Sequence, residues 1–117
     1  MTDDALHDRP SAAELVTAVR EFLEADVMAA TEGRVQFHTR VSVNALRMVE
    51  RELELGAAQA DAHAAALTRL GVADEAALAK AIRDGSLDDR RDEVFTVVLD
   101  TVRAKLEVAN PRYLEEP

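Results

Sequence analysis

The sequence predicts an all-helical fold, a compact bundle of about five helices with two or three long ones and two short ones. Three observations carry this. Ala, Leu, Glu and Arg, all good helix formers, dominate the chain. Four isolated glycines, Gly33, Gly56, Gly71 and Gly85, separate stretches with helical periodicity. No stretch alternates apolar and polar residues as a half-buried strand does.

Ser11 and Glu14 form an S-x-x-E capping box behind Pro10, so the first helix starts there. Its apolar positions are Leu15, Val16, Val19, Phe22, Leu23 and Val27, with Thr17, Glu21 and Glu24 opposite. A second helix is expected from about Arg34 to Leu55, ended by Gly56. Val35, Phe37, Val41, Ala45, Leu46, Met48, Val49, Leu53 and Leu55 cover a wide arc of it, which predicts a central helix with several neighbours. An Ala-rich third helix spans about Ala57 to Leu70. Asp74 caps a short helix that Gly85 closes, with Ala77, Leu78, Ala81 and Ile82 as its apolar side. Asp88 or Asp89 caps the last long helix, which Asn110-Pro111 stops. Its expected core face is Phe95, Val98, Leu99, Val102 and Leu106, with Glu93, Thr96, Asp100, Arg103 and Glu107 toward solvent. Val94, Val97, Thr101, Ala104 and Val108 flank that face and either widen the core contact or form a patch for another chain. Residues 1–10 read as a flexible segment and 11–117 as one helical domain, with Tyr113 and Leu114 docking the tail.

Hydrophobic residues make up 48% of 117 residues, enough for a core. With 23 acidic against 14 basic residues the net charge is −9, which repels nucleic-acid phosphates and anionic membrane surfaces. The absence of cysteine excludes disulfides, thiolate metal sites and a cysteine nucleophile. The polar N-terminus does not read as a secretory signal, and no apolar run reaches the roughly 20 residues of a membrane span. A cytoplasmic protein is expected.

The search for chemistry yields no catalytic centre, metal site or cofactor site. Three residues before His38 stands Val35 and before His63 stands Ala60, so neither makes a Glu-x-x-His pair; His7 follows Asp4 at that spacing. His38 and Ser42, one turn apart inside the apolar arc, read as a buried polar pair, with a nucleophilic pair and a ligand contact as the sharper alternatives. Isolated glycines cannot make a phosphate-binding loop. Glu50, Glu52 and Glu54 beside arginines read as a solvated, salt-bridged face. Arg40, Asn44, Arg47 and Arg51 fall at i, i+4, i+7 and i+11, a basic stripe beside the apolar arc. It either pairs with acids of this chain or docks a partner's carboxylates or a phosphorylated ligand.

With these residues laid out, the chain resembles a small bacterial all-helical family of previously unassigned function that includes the LvaB-type accessory proteins. The matching stretches are His7-Asp8-Arg9-Pro10, Arg20-Glu21-Phe22-Leu23, the run from Gly33 to Leu46, Val49-Glu50-Arg51-Glu52-Leu53, Ile82-Arg83-Asp84-Gly85, and Lys105 to Leu114. The resemblance implies a non-catalytic accessory subunit. Its partner would be an aminoglycoside-phosphotransferase-like kinase that acts on hydroxyacyl-CoA in hydroxy-acid and fatty-acid catabolism, alongside acyl-CoA dehydrogenases. Arg40, Asn44 and the tail from Asn110 to Leu114, with Arg112 and Tyr113, would lie on the contact surface. The family pattern often has a proline near Met28-Ala29; its absence here implies a straighter first helix. The competing readings are a self-associating helical bundle and a small ligand-binding protein.

Overall fold

The computed structural model describes Leu6 and residues 9–115, so His7 lies outside the described residues. Among them there is helix and no strand. Packing divides the chain into two units, Met1–Glu54 and Leu55–Pro117.

The helices are three long and one short rather than five. The first runs Ala12–Phe22, passes without a break through a π-helical turn at Leu23–Val27, and finishes at Met28–Ala30. Its start is the expected capping box: Glu14 N donates to Ser11 Oγ at 3.1 Å, and Ser11 N donates to Glu14 Oε1 at 2.8 Å. The π turn lies just ahead of Met28-Ala29, where the proline is missing, and the helix runs on as regular α-helix through Ala30. Thr31 Oγ1 then donates to Val27 O, and Gln36 Nε2 donates to the carbonyls of Met28 and Thr31. These side chains satisfy acceptors that a helix end leaves open.

The long helix is Gly33–Leu70, 38 residues without interruption, so the expected second and third helices are one. Gly56 lies inside it. A helical glycine costs only about 1 kcal/mol against alanine, less than the burial of Leu67 and Leu70 about three and four turns further on supplies. At Gly71, φ is +78°; Gly71 N bonds Thr68 O and Val72 N bonds Leu67 O, closing the helix. The short helix Glu75–Asp84 has the expected ends, with Asp74 accepting from Ala77 N at 2.8 Å and Gly85 at φ +82°. A 3-10 turn, Asp88–Arg90, leads into the last helix, Arg91–Ala109. No side chain caps that helix, so the expected Asp88 or Asp89 cap is corrected. Asn110 ends it, and Pro111–Leu114 form a second 3-10 turn.

In the first unit Thr39 and Val43 of the long helix are the buried residues, and Val16, Thr17, Arg20 and Leu23 of the first helix are half-buried. Leu15, Val19, Phe22, Val35, Phe37, Val41, Met48, Val49 and Leu53 stay exposed, so each expected apolar face is covered only in part, through Val16, Leu23 and Val27 on the first helix and Leu46 and Leu55 on the long one. In the second unit Leu67, Leu70, Leu78, Leu87 and Val97 form the core, with Ala66, Val72, Ala81 and Val94 against it. The last helix is therefore rotated from its expected setting. Val94 and Val97 point inward, while Phe95, Val98 and Val102 point out. The small residues of the inward face let this helix approach Ala66 closely, which Phe95 could not do.

Candidate functional site

The first unit holds a charged network between its two helices. Glu50 accepts from Thr17 Oγ1 and from Arg20 Nε, both at 2.7 Å. Arg20 also reaches Glu24 at 2.8 Å, and Arg47 pairs with the other oxygen of Glu24. Thr17 and then Arg20 hold the Glu50 carboxyl below its ordinary range; Arg47, with Arg20 adding, does the same for Glu24. Glu50 in turn raises Arg20 above the ordinary guanidinium value. Arg47 is thus a structural partner, and Glu50 belongs to a half-buried seam rather than a solvated face. Arg51 is half-buried and engaged. Arg40 and Asn44 are exposed and make no hydrogen bond or ion pair among the described residues, so the expected stripe divides into engaged and open members.

His38 and Ser42 are corrected: both are exposed, not a buried pair. The His38 ring stands edge-on to Phe37, centroids 5.3 Å apart. His38 and Ser42 line a shallow hollow of about 330 Å³ with Arg34 and Leu23, and no hydrogen bond joins the two. The fold rotates both side chains away from the covered seam of Thr39 and Val43.

The second unit contains a polar group that residue spacing tests only as a metal ligand. His63 of the long helix, 29% exposed, lies between the short and last helices. Its Nδ1 is 3.3 Å from Thr101 Oγ1, and its Nε2 is 2.9 Å from Glu75 Oε2. Nε2 is shielded from solvent and its contact with Glu75 is off the hydrogen-bond axis. Distance favours a contact and alignment denies a good hydrogen bond; we read it as a short electrostatic contact. Thr101 spends its hydroxyl proton on Val97 O at 2.9 Å, so it is poorly set to be a nucleophile. A cleft of about 420 Å³ opens beside His63, floored by Gly56, Ala60, Ala66 and Ala104, with Arg69 and Lys105 on its rim. Gln59 closes one end, donating to Ala104 O and Glu107. The sequence signal was a histidine inside an alanine run, facing a threonine of the last helix's small-residue face.

A second hollow in this unit, about 480 Å³, is bounded by Ile82, Leu87, Val94, Phe95 and Val98. The tail turn is held by Tyr113 N to Asn110 O at 3.0 Å, yet the Tyr113 ring is 74% exposed. Asn110 and Arg112 are exposed as well. Among the described residues no three His, Asp or Glu side chains converge to hold a metal ion, and no helix is long and apolar enough to cross a membrane.

The fold and these surfaces define an all-helical protein with open apolar and basic faces. The chain belongs to the family described as domain of unknown function DUF6285, whose family model matches residues 29–113. No curated protein and no solved structure matches the chain.

Proposed function

We propose that this protein is a non-catalytic accessory subunit that works by binding another protein. One observation carries the reading. The chain has three Phe, one Tyr and no Trp, and all four aromatics are more than half exposed: Phe22 and Phe37 at 57%, Phe95 at 67%, Tyr113 at 74%. Aromatic rings are normally the largest contributors to a core, and exposed ones are enriched where another chain docks. The resemblance of the long-helix and tail stretches to LvaB-type accessory proteins supplies the partner class, an aminoglycoside-phosphotransferase-like kinase acting on hydroxyacyl-CoA. Arg40, Asn44, Asn110, Arg112 and Tyr113 would meet it, with the Phe95, Val98 and Val102 stripe adding apolar area.

The test is gentle affinity purification of the full chain from its native host, followed by assay of any kinase-like protein recovered with and without it. A stoichiometric kinase that Tyr113→Ala and Phe95→Ala release supports the reading. Recovery of no kinase-like protein, or a kinase equally active alone, sinks it. A second reading, a small ligand-binding protein, has the cleft beside His63 in its favour. Ligand-induced protection of His63 and Thr101 resonances in a compound screen would support that instead.

A further inference from the structure

We propose that the last helix docks an amphipathic helix of another protein whose apolar strip is bracketed by carboxylates. The proposal rests on the accessory reading for the face and goes beyond it in stating what the partner presents. Arg91, Phe95, Val98, Val102 and Lys105 are spaced by four, three, four and three residues. That alternation is the seam of a coiled coil, and it suits a helix laid lengthwise better than a strand or a small molecule. The seam is open along its length: Phe95 is 67% exposed, Val98 40% and Val102 46%, and Arg91 and Lys105 are exposed at its ends. Neither cation's side chain makes a hydrogen bond or ion pair among the described residues. Beside the seam, the hollow of about 480 Å³ bounded by Ile82, Leu87, Val94, Phe95 and Val98 has room for an apolar side chain of the partner.

Charge selects the occupant. At about 100° per residue the seam residues fall within about 40° of Arg91, whereas Asp92, Glu93, Asp100 and Glu107 all lie about 100° or more away. Asp88 borders the hollow, but its carboxylate lies against Gly85, where a Cβ would stand 3.2 Å from Oδ2. A chain of net charge −9 thus presents here an apolar strip with a cation at each end. The two cations stand about 21 Å apart along the helix axis. Two copies meeting on this seam are disfavoured in both directions. In parallel, Arg91 faces Arg91 and Lys105 faces Lys105; antiparallel, Arg91 faces Lys105. A partner helix with carboxylates at both ends of its own apolar strip satisfies both cations in either direction.

Two synthetic helices of about 20 alanine-rich residues test it. Both carry leucines to meet Phe95, Val98 and Val102; one has glutamates opposite Arg91 and Lys105, the other lysines. Titrated by fluorescence anisotropy against the purified full chain, the glutamate helix should bind about tenfold or more tightly than the lysine helix. The chain carrying both Arg91→Glu and Lys105→Glu should reverse that preference. Phe95→Asp, at an exposed site, should abolish binding of the glutamate helix with helicity by circular dichroism unchanged. Equal affinity for the two helices, a preference that survives the charge reversal, or binding indifferent to Phe95→Asp overturns the proposal. So does sedimentation showing a dimer that Phe95→Asp dissolves, since a second copy then covers the seam. Loss of discrimination with a kinase still recovered from the host sinks this proposal and leaves the accessory reading; discrimination with no kinase recovered does the reverse.

Discussion

Arg20 donates its Nε hydrogen to Glu50 across 2.7 Å, from a side chain only 14% exposed. The pair joins the first helix to the long helix, and Thr17 completes it from one turn earlier. A half-buried pair of this kind ties helices together through protonation state. The Glu50 carboxyl is held below its ordinary value when folded. Its contribution is therefore fully present above the ordinary carboxylate pKa of 4.5, and is lost as the pH falls through the lower folded value. Thermal melts from pH 7 down to pH 3 should show a falling midpoint beginning below about 4.5. Glu50→Gln should flatten part of that slope while lowering the midpoint at pH 7. An unchanged slope would mean that Glu50 carries none of the acid sensitivity.

Gly85 ends the short helix in the left-handed region, at φ +82°. A Cβ there would also stand 3.2 Å from Asp88 Oδ2. Both effects act in the same direction, so Gly85→Ala should destabilise the protein by about 1–2 kcal/mol in urea unfolding. Gly85→Asn, which tolerates this conformation better, should cost less. Equal stability of all three chains would show that the turn relaxes freely.

Most helix ends, though not the start of the last helix, were legible in the sequence because each depends on a few neighbouring residues. Ser11 with Glu14, Asp74 with Gly85, and Asn110 before Pro111 act locally and stand where they were expected. Gly56 was misleading, since a glycine's effect there depends on what the helix gains by continuing to Leu67 and Leu70. The setting of the last helix was not legible either, because two faces one residue apart share the same periodicity. Size argued for the Phe95 face, but close approach to an alanine-rich neighbour selected the smaller Val97 face. The site residues followed that pattern. Arg47 could not be distinguished from Arg40 by spacing, because only the position of Glu24 decides which one is engaged.

Of the two described histidines it is His63, not the His38 that periodicity sets inside the apolar arc, that is held between helices. His38 is exposed and touches Phe37 edge-on, whereas His63 is set between Thr101 and Glu75. His38→Ala should change stability by less than about 0.5 kcal/mol. His63→Ala removes contacts to two other helices and should cost about 1–2 kcal/mol. Urea denaturation of both variants at neutral pH compares them. A larger loss from His38 would reverse the assignment.

The rotated last helix makes the sharpest contrast. By size alone, Phe95 would anchor the core and Val97 would matter little. In the fold Phe95 is 67% exposed, while Val97 is 7% exposed against Leu67, Leu70, Leu78 and Leu87. Truncating a buried leucine removes its transfer energy and leaves a cavity, so Leu70→Ala should cost about 3 kcal/mol and Val97→Ala somewhat less. Phe95→Ala removes a ring that touches mostly water and should stay within about 0.5 kcal/mol of the parent chain. The same substitution should weaken partner capture, because the ring's area is available only to another molecule. Loss of stability without loss of binding would return Phe95 to the core, and with it the face that periodicity first suggested.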